Sequence, residues 1–195
     1  MKISVGITND FCPQTLFLYG TYKEDGTPDF GLFCWFSYHW DGEMGVMACI
    51  GGNKLTKDLI RKNGMFSANL VSQKMLPLAD YYGTTSGYDK NKMNILPGIM
   101  KGKELNVPII LESPVSFELQ VKQEIHMNDG DIFLCKICNV MMEEELNNNE
   151  IPLEERVKLA APVITVSSET YFTVAEKSLG HWGEPGKQYK NNEIK

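Results

Sequence analysis

The chain has 195 residues, of which 43% are hydrophobic and 10% aromatic, and a formal net charge of −6 with a pI near 5.1. That length and apolar content support a single domain over 1–195 with one well-buried core, and exclude a disordered chain. The acidic balance excludes a broad nucleic-acid surface, which needs clustered Lys and Arg, but leaves room for a small anion held by two or three local donors.

Taken in chain order, most of the sequence reads as strand. Residues 15–22, TLFLYGTY, are β-branched and aromatic, and Glu24-Asp25-Gly26 supplies a hairpin turn. FGLFCWFSYHW (30–40) is too aromatic for a surface loop and is expected as one strand with a bulge or kink. GVMACI (45–50) is a short apolar strand. Thr56 is placed to cap a helix over TKDLIRKNG, with Asp58 in its first turn, Lys62 near its last and Asn63-Gly64 as its stop. MFSANLV (65–71) follows as a strand. Pro77 suits the first turn of a helix over PLADYY, which Gly83 is expected to end.

The connection from 83 to 108 is turn-rich, and so long an irregular stretch is usually functional or interface-forming. VSFELQVKQEI (115–125) alternates strictly. Val115, Phe117, Leu119 and Val121 face one way and Ser116, Glu118, Gln120 and Lys122 the other, which predicts a strand with one wet face. IFLCKICNVMM (132–142) is apolar on nearly both faces, so it is central in a sheet or covered by a second subunit. LEERVKL (153–159) is a short helix or turn. Six or seven strands with minor helices predict a mainly β, closed or split barrel.

Few motifs carry chemistry. No window approaches the roughly 18 apolar residues of a membrane helix, and the N-terminal segment lacks a signal-peptide pattern. Cys12, Cys34, Cys49, Cys135 and Cys138 are odd in number and sit mostly in apolar runs, as expected of reduced thiols in the cytoplasm. Cys135 and Cys138 lie three apart within a strand, so they point to opposite faces, and no second pair completes a zinc set. His39, His126 and His181 show no ligand spacing, and Walker, G-x-S-x-G and G-x-G-x-x-G motifs are absent. The turn Gly51-Gly52-Asn53-Lys54-Leu55-Thr56 is the strongest local signal. Glycines allow close backbone approach, a helix start offers unpaired N–H groups, and Lys54 and Thr56 add a charge and a hydroxyl, which suits a phosphate monoester. The bland reading of the same residues is a helix cap and a solvated lysine.

The order of these pieces resembles the flavin reductase-like, FMN-binding split-barrel family, in particular its flavoredoxin branch, over about residues 15–187. The hairpin GTYKEDGTP (20–28) is followed by a strand ending in Trp35, then by the threonine-started helix NKLTKDLI and the strand FSANL (66–70). ADYYGTTSGYDKNK (79–92) matches the family's A-D-Y-[FY]-G-x-x-S-G-x-D-x-x-K element and is the most specific of these. VPIILESPVSFEL, GDIFLCKICNV and YFTVAEKSLGHWGEPGK (171–187) take the places of later family segments.

The resemblance implies an FMN-binding split β-barrel of Greek-key type with a few short helices, assembled as a homodimer with flavin at the subunit interface. It implies that Asn53, Lys54 and Thr56 hold the flavin phosphate. The ring would lie near Cys34, Trp35 and the strand bearing Phe66, Ser67 and Asn69, under a loop from Ser86 to Lys92. Lys92 is the candidate cation beside the ring, and the electron donor is NADH, NADPH or a redox partner protein. Two departures stand out: Leu32 occupies a place where the family has Asn or Thr, and Gly51-Gly52 stand where it carries a basic residue. They motivate an alternative, a flavin-free barrel that serves as a binding or dimeric scaffold.

Overall fold

A continuous run of large apolar and aromatic side chains builds the first long strand. In the computed structural model, which describes residues 1–167, 170–174 and 178, β1 (Gln14–Thr15) leads into β2 (Phe17–Tyr22). Through the Lys23–Thr27 turn, β2 pairs with β3 (Pro28–Phe33). The expected single strand over 30–40 is two strands. The ladder stops at Phe33, residues 34–35 turn, and β4 (Phe36–Trp40) begins against a different neighbour, β5 (Met44–Gly51). Helix α1 (Leu55–Asn63) stops at Gly64, whose φ of +67° places it in the left-handed region.

Strand β6 (Met65–Leu70) precedes α2 (Leu76–Thr84), which runs past Gly83 rather than ending there. The long connection contains a 3-10 turn at Lys92–Asn94 and a small hairpin of β7 (Ile99–Lys101) and β8 (Pro108–Ile110). Then come β9 (Val115–Met127), β10 (Gly130–Met142), α3 (Glu144–Asn147), α4 (Leu153–Ala160), β11 (Val163–Val166) and β12 (Thr170–Thr173).

The main sheet has seven antiparallel strands in the order β3-β2-β6-β9-β10-β5-β4. Its two edges, β3 and β4, are consecutive in the chain. Laid flat, seven strands about 4.8 Å apart would separate those edges by about 29 Å, yet the Cα steps from Phe33 to Phe36 can span at most about 11 Å. The sheet must therefore curl until its edges meet, which makes the split barrel. Strand β10 is central between β9 and β5, with Phe133 and Cys135 buried on one face, while its far end exposes Val140 and Met142.

Both faces of β2 are covered. Phe17 and Tyr19 join Val46, Ile50, Phe66, Leu119 and Phe133 in one buried cluster, with Ile60 of α1 packed into it. Leu16 and Leu18 join Phe30, Met75, Tyr82 and Ile110 in a second cluster formed with α2 and β8. Cys135 belongs to the first cluster, where burial pushes its thiol up to about 12, and no cysteine forms a disulfide. The family-like segment 171–187 and His181 lie largely outside the described residues.

The expected wet face of β9 is dry at its start. Ser116 and Glu118 are buried, because the chain from 99 to 110 folds over them. Glu118 has no exposed surface and accepts hydrogen bonds from the backbone N–H of Lys103 (2.9 Å), Glu104 (2.9 Å) and Leu105 (2.6 Å) and from Asn139 Nδ2 (2.8 Å). Burial alone would raise its pKa, but Asn139 and the three N–H groups together hold it below the usual carboxylate range. A depressed carboxyl contributes stability that is complete above its unfolded pKa of about 4.3 and is lost as pH falls through the folded value. Glu118→Ala leaves three loop N–H groups without their acceptor and is expected to cost about 3 kcal/mol at pH 7. Urea unfolding at pH 7 and pH 3 checks this: the cost should shrink at the lower pH.

Candidate functional site

Barrel closure brings the turn after β5 against β3, which a flat sheet would hold far apart. Between them lies a cleft of about 240 Å³, walled by Gly31, Leu32 and Phe33 on one side and Asn53 to Thr56 on another, with residues 82–88 and Lys92 completing it. Gly52, at φ +65°, makes the tight turn that sets Asn53 at the rim. Lys54 occupies the cap position of α1 and makes no side-chain cap bond. The first N–H groups of the helix therefore have no intrahelical acceptor, and the positive end of the helix dipole lies at the cleft.

Thr56 does not cap the helix. It sits one residue inside, buried, and its Oγ1 donates to Asp29 Oδ2 at 2.6 Å across the barrel seam. Gly31 makes room for this contact, since a Cβ there would lie 2.8 Å from Thr56 Oγ1. The Thr56 hydroxyl proton is thus committed to a protein carboxylate, and what Thr56 offers an anion is its backbone N–H. Asp29 is fully buried, and its Oδ1 has no hydrogen-bond donor among the described residues. Burial raises its pKa, opposed by the Thr56 bond and by the charges of Lys92 and Lys23.

Lys92 is only 2% exposed, yet it lines the cleft. Its ammonium stands 5.6 Å from the centre of the Tyr82 ring. Burial lowers its pKa, the Asp29 charge raises it, and Lys54 and Lys23 lower it again. No carboxylate lies within ion-pair distance of it among the described residues, so the cleft holds a desolvated cation with donor capacity to spare. Tyr81 and α2 fix its backbone, the Tyr81 hydroxyl donating to the Lys92 carbonyl at 3.3 Å. On the rim, the Tyr88 hydroxyl lies 2.9 Å from Asn53 Oδ1 and 2.7 Å from Asp58 Oδ2, donating its one proton to either.

Of the residues expected at the site, Asn53, Lys54, Thr56, Ser86 and Lys92 come together in this cleft. Trp35 stands beside it: 48% exposed, it lies against Gly51, where an added Cβ would be 3.5 Å from Trp35 Cζ3. Cys34 is half-buried and packs against the second core cluster. Phe66, Ser67 and Asn69 are instead interior. Asn69 donates to the Leu18 carbonyl and accepts from the Ile110 N–H and Ser116 Oγ, while Ser67 bonds to the Pro108 carbonyl, so these groups are occupied within the chain.

Sequence reasoning passed over Asp29, Tyr82 and Tyr88. A carboxylate inside the apolar run PDFGLF was a legible signal for the first, and an aromatic in the polar loop SGYDK for the last. Leu32 lines the cleft and packs on Gly83, where a Cβ would meet its Cδ2 at 2.9 Å.

Comparison with known proteins assigns the family. Residues 10–163 match the model of the flavin reductase like domain. The chain belongs to the flavin reductase-like family. Its fold superposes on flavoredoxin from Methanosarcina acetivorans with a TM-score of 0.85, at 22% identity over 97% of this chain and 99% of that one. Flavoredoxin of Desulfovibrio vulgaris (Miyazaki F) gives 0.83, at 25% identity over 95% and 100% of the two chains. The FMN-binding protein from Thermus thermophilus, with bound p-hydroxybenzaldehyde, gives 0.75 at 18% identity over 93% and 97%. In sequence, the chain is 29% identical over 97 residues to an uncharacterized protein of Aeropyrum pernix and 30% identical over 92 residues to one of Archaeoglobus fulgidus. Those matches span 46% and 47% of this chain but only 35% and 52% of the curated relatives.

Thr56→Val removes the one donor that Asp29 has among the described residues. The variant should lose about 1–3 kcal/mol of stability at pH 7. Because the lost bond favours the ionised carboxylate, the loss should diminish as pH falls and Asp29 takes up its proton. Equal losses at pH 7 and pH 4 in denaturant titrations would contradict this role.

Proposed function

We propose that the chain is an FMN-binding oxidoreductase, a flavin reductase or flavoredoxin-like carrier that passes reducing equivalents from a nicotinamide or a protein donor. The observation that supports this most directly is Lys92: a buried, cleft-lining ammonium with no ion pair among the described residues, beside a helix start with no side-chain cap. The uncapped helix start suits a phosphate monoester, and the buried ammonium suits a second developing negative charge. Lys54 and the first N–H groups of α1 would hold the phosphate, in place of the basic residues that Gly51-Gly52 lack. Trp35 would flank a ring on the shoulder beside Gly51, with Cys34 next to it in the chain. Lys92 would favour an anionic reduced ring. Bound FMN supplies the hydride and electron chemistry, so no protein acid–base pair is required.

A homodimer with the flavin at the subunit interface is part of this reading. The cleft falls below the roughly 300–1,000 Å³ of usual ligand pockets, so a second subunit would complete it. The edge strand β4 exposes Tyr38 and, at 73%, Trp40, an apolar edge of the kind proteins cover. Sedimentation should therefore give twice the 22.0 kDa chain mass. A cytoplasmic setting is likewise proposed. Among the described residues no helix is long and apolar enough to cross a membrane.

The visible spectrum of the purified protein, before and after FMN and then NADH or NADPH under anaerobic conditions, tests the function. Bleaching at catalytic rates supports a reductase, and binding without bleaching supports transfer from a protein donor. Failure to bind even excess FMN overturns the proposal and leaves the flavin-free scaffold. Lys54→Ala should weaken FMN about tenfold, the loss of roughly one charge-assisted bond, while riboflavin, which lacks the phosphate, is affected little. Lys92→Met should lower the flavin reduction potential, and an unchanged potential would remove Lys92 from that role.

A further inference from the structure

The segment from 85 to 91 is joined to the barrel in an unusual way. Among the described residues its backbone hydrogen bonds stay within the stretch 81–94: Thr85 N–H donates to the Tyr81 carbonyl, Asp89 to Ser86, Lys92 to Asp89 and Asn94 to Asn91. The strap is thus a self-contained series of turns, and no backbone bond ties it to a strand of the main sheet. Its outer side is exposed at Ser86, Tyr88, Asp89, Lys90 and Asn91, while Ser86, Gly87 and Tyr88 line the cleft. Few buried contacts and solvent-exposed backbone bonds mark a segment of low local stability.

Two contacts hold the strap down. Gly87 rests on the first residue of α1, so closely that an added Cβ would lie 2.8 Å from Leu55 Cβ. Tyr88 reaches across the rim, its hydroxyl within hydrogen-bonding distance of Asn53 on the turn and Asp58 on the helix. Beneath Gly87 lies Asp29, whose Oδ1 would be 3.6 Å from that Cβ and has no donor among the described residues. A buried carboxylate oxygen without a donor is costly, and lifting the strap would let water reach it. The closed position is therefore opposed from below by Asp29 and held by the Gly87 contact and by one phenol, the only one of the two that is a hydrogen bond.

We propose that residues 85–91 form a lid over the cleft and that the Tyr88 hydroxyl is its latch. The identity of the ligand it admits rests on the FMN reading above, but the latch itself does not. Opening must precede entry and exit alike, so weakening the latch should speed both without much altering affinity. Tyr88 is half-exposed, and replacing it with Phe removes the hydroxyl while keeping the ring.

The test uses the full chain and two readouts. In the ligand-free protein, amide hydrogen exchange of 85–91 should rise about three- to tenfold in Tyr88→Phe, as expected for loss of one net hydrogen bond. Asp58→Ala should give part of that rise, and the double variant no more than Tyr88→Phe alone. Stopped-flow flavin fluorescence should then show FMN association and dissociation both accelerated by a similar factor, with Kd nearly constant. Unchanged exchange in Tyr88→Phe overturns the lid. Faster dissociation alone, with weaker Kd, also overturns it, because Tyr88 would then be a ligand contact rather than a latch. If neither protein binds FMN, the functional reading falls and hydrogen exchange alone decides the lid.

Discussion

Two residues, Cys34 and Trp35, are all that separates the opposite edges of a seven-stranded sheet. Chain connectivity at that point forces the curl, and the cleft is a product of the curl. Its walls come from β3, at one edge, and from the turn after β5, one strand in from the other edge. The Thr56–Asp29 hydrogen bond fastens those walls together across the seam. The candidate site is therefore where the barrel is joined rather than an addition to a finished barrel.

Consecutive residues of α1 divide the electrostatic work. Thr56 turns toward the cleft and Asp29, while Lys57 pairs with Asp131 at 2.9 Å on the other side of the helix. Asp131 also receives Arg61 at 3.0 Å and His126 at 2.8 Å, and the Lys57 bond leads the effects that hold its carboxyl down to about 2 despite burial. Glu124, His126 and Asp131 converge closely enough to interest a metal ion, but Lys57 and Arg61 already hold Asp131 Oδ2, and Arg61 also holds Glu124 Oε1. That network is an anchor for the helix. The cleft side is the reverse, a cation and helix N–H groups left with capacity for an anion.

Local patterns marked most elements. Alternation in 115–125, the Gly64 stop, Pro77 at a helix start and the 24–26 turn each place an element where the structure has one. Apart from the end of α2, which runs one residue past Gly83, the errors share a cause, because each depended on a distant neighbour. Glu118 reads as wet until the chain from 99 to 110 covers it. Residues 30–40 read as one strand because nothing in their composition shows that Phe33 and Phe36 pair with different partners. Thr56 reads as a cap because a hydroxyl before a helix usually is one, and Asp29 lies 27 residues away.

The site was legible to the same degree. Asn53, Lys54 and Thr56 are near in sequence, so their adjacency was determined by one turn, and Ser86 and Lys92 were tied to them only through family resemblance. Strand FSANL resembled a ligand strand, yet Phe66, Ser67 and Asn69 are enclosed by β2, β8 and β9. By itself the sequence determined strand content, the phosphate-suited turn and the acidic balance, because propensity, turn chemistry and charge are local properties. Only the tertiary structure decided which carboxylate holds Thr56 and that Lys92 stands buried without an ion pair among the described residues. Those depend on separations that barrel closure collapses, and no local pattern encodes them.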